Sequence, residues 1–76
     1  MNAKSDSLDA QLEKLGRAAR NRRLELGLSQ VELALMMNTS GPHINEIEHG
    51  RKNVQFSTLS RLADALGVKV RDLIDF

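Results

Sequence analysis

His43, Asn45 and Glu46 stand almost side by side in the middle of the chain, with His49 and the pair Arg51-Lys52 just beyond them. An asparagine amide can bridge an adenine edge, and a glutamate carboxylate can accept from a cytosine amino group, so this stretch carries chemistry suited to base edges. Metal ligation by His43, His49, Glu46 and Glu48 is the competing chemistry. It fails on spacing: imidazoles six residues apart do not share one side of a helix, and no further ligand cluster accompanies them. No metal and no cofactor is expected. Nor is catalysis, because there is no glycine-rich phosphate loop or nucleophile–base constellation, and so short a chain has little room for a pocket.

Two short helices must position these groups. Leu33, Ala34 and Met37 in one segment, and Ile44 and Ile47 in the next, recur at the three- and four-residue spacing of a helix with one buried side. Ser29 followed by Glu32 forms the pattern of a capping box at the start of the first. Asn38 tolerates the left-handed conformation that ends a helix, and Ser40 can cap the second helix by accepting from the backbone of His43. Pro42 falls in that helix's first turn, where its missing N–H is harmless, and Gly50 stops it. Two apolar-faced helices joined by about three residues make a helix-turn-helix, whose second member is short enough to enter a DNA major groove.

Three motifs add a family. L-S-Q-x-E-L-A at Leu28 to Ala34, S-x-x-x-I-x-x-I-E-x-G at Ser40 to Gly50, and T-L-x-x-L-A-x-A-L-G-V at Thr58 to Val68 closely resemble the phage-repressor/Cro-type helix-turn-helix family. The resemblance runs from roughly Leu15 to Ile74. It implies an all-α, compact five-helix lambda-repressor-like fold, with double-stranded DNA as partner. It also implies base readout at the positions of Gly41, Pro42 and Glu46, and here the sequence departs from the family. Gly41 has no side chain and Pro42 no donor, although Pro42 could touch a thymine methyl. Readout is therefore expected from His43, Asn45 and Glu46, with Thr39 and Ser40 at the flank on the phosphate side. The alternative is that the small Gly-Pro tip permits close backbone approach and DNA shape supplies part of the selectivity.

The same resemblance makes Gln30 a phosphate contact and sets Arg51, Lys52 and Asn53 against the DNA backbone. It implies an ion pair between Arg23 and Glu48, with the Arg23 cation shared with a phosphate. Relatives pair through their C-terminal ends, so a homodimer is expected, with Leu73, Ile74 and Phe76 as contacts and Leu73 alternatively buried in the monomer. Two recognition helices would then lie about one DNA turn, ~34 Å, apart.

Read in order, residues 1–7 are small, polar and unpatterned, and are expected to form a mobile tail. Leu8, Leu12, Leu15, Ala19, Arg23 and Leu26 step along one face of a long first helix, capped by Ser7 or Asp6 and ended by Gly27. Arg23 sits on that apolar stripe, and a buried charge requires a partner. Val31, Leu35 and Met36 lie off the buried face of the second helix. They are expected to cover the Leu8–Leu12 end of the first helix, a protein contact being the alternative. Phe56 is expected to plug the core beside a helix that starts at Thr58 after a Ser57 cap and buries Leu59, Leu62, Ala63 and Leu66. Gly67 then gives a left-handed stop, and Val70, Leu73, Ile74 and Phe76 mark a short last helix.

Composition sets the outer bounds. Seventy-six residues, with two Phe and no Trp or Tyr, are expected to form one small domain over residues 8–76, with a core of Leu, Ile, Val, Met and Ala. Association with a second copy would help so small a core. There is no cysteine to form a disulfide or thiolate metal site. The N-terminal stretch lacks the apolar run of a leader and no segment suits a membrane span, so a cytoplasmic location is expected. Asn38-Thr39-Ser40 matches a glycosylation acceptor but is better read as turn and cap. The net charge of +1 says little about nucleic acid, whereas the distribution does: Arg17, Arg20, Arg22 and Arg23 precede the motif, and Arg51 and Lys52 follow it. The expected function is a dimeric, sequence-specific transcription regulator, such as a repressor, on an inverted-repeat operator. The alternatives are an antitoxin that binds both a toxin and its own promoter, or a restriction-modification controller.

Overall fold

Ser7 begins the ordered account of the chain. In the computed structural model, which describes residues 7–76, its hydroxyl accepts from the Ala10 backbone N–H at 3.2 Å and starts α1 (Leu8–Glu25). The rest of the tail expected over residues 1–7 lies outside the described residues. Gly27, at φ 71°, ends the first helix as the Leu28 N–H returns to the Arg23 carbonyl.

The second helix, α2 (Gln30–Met36), opens with a complete capping box. Ser29 Oγ accepts from the Glu32 N–H at 3.0 Å, and Glu32 Oε1 accepts from the Ser29 N–H at 2.8 Å. Asn38 turns the chain at φ 55°, and the Ser40 hydroxyl accepts from the His43 N–H to start α3 (Gly41–Glu48). Then come α4 (Phe56–Leu66), stopped by left-handed Gly67, and a single-turn α5 (Val70–Leu73). The described residues form these five helices and no strand. None of the helices is long and apolar enough to cross a membrane.

Leu33, Ile44, Ile47, Leu62 and Leu66 fill the centre, joined by Leu15, Ala19, Ala34, Met37, Leu59, Ala63 and Leu73. α2 and α1 both pack on α3, and α4 touches α1 and α2, so the helix-turn-helix is held from behind. The closest approach is at Gly16, where a Cβ would stand 2.5 Å from the carbonyl oxygens of Ile47 and Glu48. Only a residue without a side chain lets α1 cross the end of α3 this tightly.

Several expectations fail, each for a reason visible in the packing. Leu8 and Leu26, at the two ends of the α1 stripe, are exposed because the helix outruns the core at both ends. Val31, Leu35 and Met36 do not cover the start of α1 but lie exposed, Leu35 at 75 %. Phe56 is 70 % exposed rather than a core plug, and Val54 packs against the core in its place. α4 begins at Phe56, two residues before the expected Thr58, with Gln55 rather than Ser57 at the cap position and no side-chain cap bond. Leu73, expected first as a dimer contact, is 2 % exposed and belongs to the core, whereas Ile74 and Phe76 remain at the surface.

Candidate nucleic-acid interface

The candidate interface is built outward from the buried face of α3. Ile44 and Ile47 anchor it, which turns Gly41, Pro42, Asn45 and Glu46 to the opposite side together with Gln30 and Val31 from the start of α2. His43 lies at the edge, its Nδ1 2.7 Å from Thr39 Oγ1, so the two side chains share one hydrogen bond. His49 Nδ1 donates to the Asn45 carbonyl at 2.8 Å and closes the far end of the helix. Among the described residues no group of three His, Cys, Asp or Glu side chains is placed to hold a metal ion.

Behind this face sits one buried polar network. Arg23 Nε donates to Glu48 Oε2 at 2.6 Å and Nη2 to Oε1 at 3.0 Å, while Nη1 donates to the Leu28 carbonyl at 2.8 Å. Its hydrogen bonds to Glu48 hold the guanidinium pKa above its ordinary value against the opposing pull of burial. Glu48 Oε1 also accepts from Gln30 Nε2 at 3.1 Å, so the network runs from α1 through α3 to the first residue of α2. Every described buried side-chain nitrogen and oxygen has a partner. Arg23 is held mainly by this network, with one N–H on each Nη left over. Its side chain is 9 % exposed and all three of its nitrogens donate within the protein.

The other cations divide in the same way. Arg22 Nε donates to the Leu66 carbonyl at 2.8 Å, across from the helix-turn-helix, and Arg61 Nη1 donates to the Met37 carbonyl at 3.2 Å. Arg17 and Arg20 instead line a surface depression with Glu13, Glu48 and His49 at the end of α3. Arg51, Lys52 and Asn53 are exposed in the loop that follows, where the Arg51 N–H bonds back to the Glu46 carbonyl. The basic run ahead of the motif is thus half structural, which spacing alone does not reveal.

Sequence reasoning missed Val31 as part of this face. The available signal was a lone valine at an exposed position beside Gln30, but its proximity to Gly41 follows from how α2 crosses α3, which is not a local property.

Comparison with known proteins agrees with the geometry. A family model described as helix-turn-helix matches residues 20–73. Control protein C.BamHI of Bacillus amyloliquefaciens is 37 % identical over 49 residues, 64 % of this chain and 60 % of that protein. The HTH-type transcriptional regulator DdrOP3 of Deinococcus deserti is 36 % identical over 62 residues, 82 % of this chain and 48 % of that protein. The chain therefore spans about half to three fifths of the length of these two relatives. The crystal structure of the restriction-modification controller protein C.AhdI from Aeromonas hydrophila superposes with a TM-score of 0.81 at 34 % identity, covering 86 % of this chain and 94 % of that one. With five helices, a capped turn and a buried Arg23–Glu48 pair in place, and with the family model spanning most of its length, the chain belongs to the helix-turn-helix family of phage-repressor and Cro type, whose members are transcription regulators rather than enzymes.

Proposed function

We propose that this chain is a sequence-specific DNA-binding transcription regulator that acts in the cytoplasm as a homodimer on an inverted-repeat operator, with residues 8–76 as its DNA-binding domain. The observation that carries the reading is the two-sidedness of α3. Ile44, Ile47 and Glu48 lock its inner face, and Pro42, His43, Asn45 and Glu46 stand on the outer side within reach of a major groove. Asn45 and Glu46 are the hydrogen-bonding base readers, His43 reads at the edge, and Gly41 and Pro42 let the helix tip approach closely. Gln30, Thr39 and Ser40 on one flank and Arg51, Lys52 and Asn53 on the other contact phosphates and set register. Arg23 acts through Glu48 and Gln30. Ile74 and Phe76 supply the apolar contact between copies; Lys14 Nζ lies 5.7 Å from the centre of the Phe76 ring at the same surface.

A restriction-modification controller is the more specific form of this reading, supported by the likeness to C.BamHI and C.AhdI. An antitoxin would instead use exposed Leu35 and Met36 to hold a protein partner. A neighbouring reading frame for a nuclease or for a toxin separates the two.

Selection of bound duplexes from random DNA is the test. The expected result is an inverted repeat with half-sites centred about 10 base pairs apart. Failure to retain any duplex at low ionic strength overturns the reading.

A further inference from the structure

Gly41 has no conformational reason to be glycine. It is not among the residues with positive φ, and it occupies the first position of α3, where the backbone is ordinary helix that any residue can adopt. What its missing side chain provides is space. A Cβ built there would meet only Val31, at 3.3 Å from Cγ2 and 4.0 Å from Cα, and any longer side chain would cover the valine. Val31 is 61 % exposed, so its side chain is open to a ligand approaching this face. Pro42, Gln30, Asn45 and Glu46 line the same open depression.

The depression is therefore a small apolar notch with amide and carboxylate groups around it. A major groove offers one apolar feature amid its donors and acceptors, the methyl group on C5 of a pyrimidine. We infer that Val31 and Pro42, which line one depression with Gly41, form a cradle for the 5-methyl group of a pyrimidine in the operator, whether thymine or 5-methylcytosine. Val31 is then a specificity-determining residue supplied by the helix before the recognition helix. Its side chain takes over discrimination that Gly41 and Pro42 cannot provide by hydrogen bonding. Asn45 and Glu46 adjoin the notch and carry groups that match base edges, which favours a base over an apolar side chain of a protein partner as the occupant.

The inference rests on the DNA-binding reading, and the experiment separates the two. Binding of the full chain is measured on the selected operator, on duplexes with each thymine replaced in turn by deoxyuridine, and on duplexes with each cytosine replaced by 5-methylcytosine. Loss of one methyl contact weakens binding about fourfold per half-site if it is worth roughly one buried methylene. A thymine occupant gives that loss at one symmetric position on uridine substitution, whereas a methylcytosine occupant gives a comparable gain on methylation. In Val31→Ala the ratio falls to about one, with thermal unfolding confirming that the variant folds. The inference is overturned if neither substitution changes binding at any position, or if the methyl effect persists undiminished in Val31→Ala, as it would if the notch served a protein partner. Absence of binding to every duplex instead sinks the DNA-binding reading, and this inference with it.

Discussion

Arg23 grips Glu48 in a fork, Nε to Oε2 at 2.6 Å and Nη2 to Oε1 at 3.0 Å, with the two side chains 9 % and 1 % exposed. Removing one partner strands the other charge in the interior. Arg23→Ala and Glu48→Ala are each expected to cost about 3–5 kcal/mol, whereas an apolar pair such as Arg23→Met with Glu48→Leu recovers most of the loss. Urea unfolding of the four proteins checks this. Additive single losses in the double variant would mean that the fork does not couple α1 to α3.

The crossing at Gly16 allows an equally sharp test. On an open helix surface Gly→Ala is favourable by roughly 0.5–1 kcal/mol, but here the added methyl would meet two main-chain carbonyls that cannot rotate away. Gly16→Ala is expected to destabilise by about 1–3 kcal/mol through overpacking. A higher melting temperature would show that α1 and α3 can separate without penalty.

On the proposed reading the exposed loop after α3 contacts phosphates, so its cations should affect affinity without affecting preference. Arg51→Ala and Lys52→Ala are expected to weaken operator and non-operator duplexes alike, each reducing the salt slope by about 0.9 if one phosphate contact is lost. Unequal loss between the two duplexes would move these residues into base readout.

At the start of α2, hydrogen bonding to the Ser29 backbone first, and to its side chain second, holds the Glu32 carboxyl below the usual carboxylate range. A lowered folded-state pKa contributes stability above the unfolded value and loses it as pH falls through the folded one. The melting temperature of wild type should therefore exceed that of Glu32→Ala at neutral pH, and the gap should narrow as pH falls below about 4. A gap independent of pH would remove the charge from the cap.

The C-terminal end separates folding from association. Leu73 is buried and Ile74 is not. Leu73→Ala is expected to cost about 2–4 kcal/mol of stability. Ile74→Glu should leave the melting temperature of dilute protein nearly unchanged while shifting sedimentation toward monomer. A monomeric wild type at micromolar concentration, with and without operator, would refute the pairing.

What could be read from the residues was local chemistry. Ser7, Ser29, Ser40, Asn38 and Gly67 each act on backbone within a few positions of themselves, and each sits where its type demands. Arg23 was legible because a cation on an apolar stripe needs a partner, and Glu48 was supplied by resemblance. Phe56 departs from expectation because aromatic character does not by itself bury a residue. Burial along α4 weakens toward its start, from Leu66 through Leu62 to Leu59, so its first residue projects past the core and leaves Val54 to fill that space. Val31 and Leu73 depend on how helices cross and dock, which neither periodicity nor spacing encodes.

Arg22, Arg23 and Arg61 each hold a carbonyl or carboxylate of their own fold, which fixes where these three cations point. In a chain of net charge +1, that restricts how many counterions the molecule can displace from an arbitrary stretch of genome. On the proposed reading, indiscriminate adhesion is expected to be correspondingly feeble, so that few copies are sequestered on irrelevant chromosome. Occupancy of the true target then follows the cellular concentration of the regulator closely, a property suited to a gene switch that must respond to small changes in its own abundance.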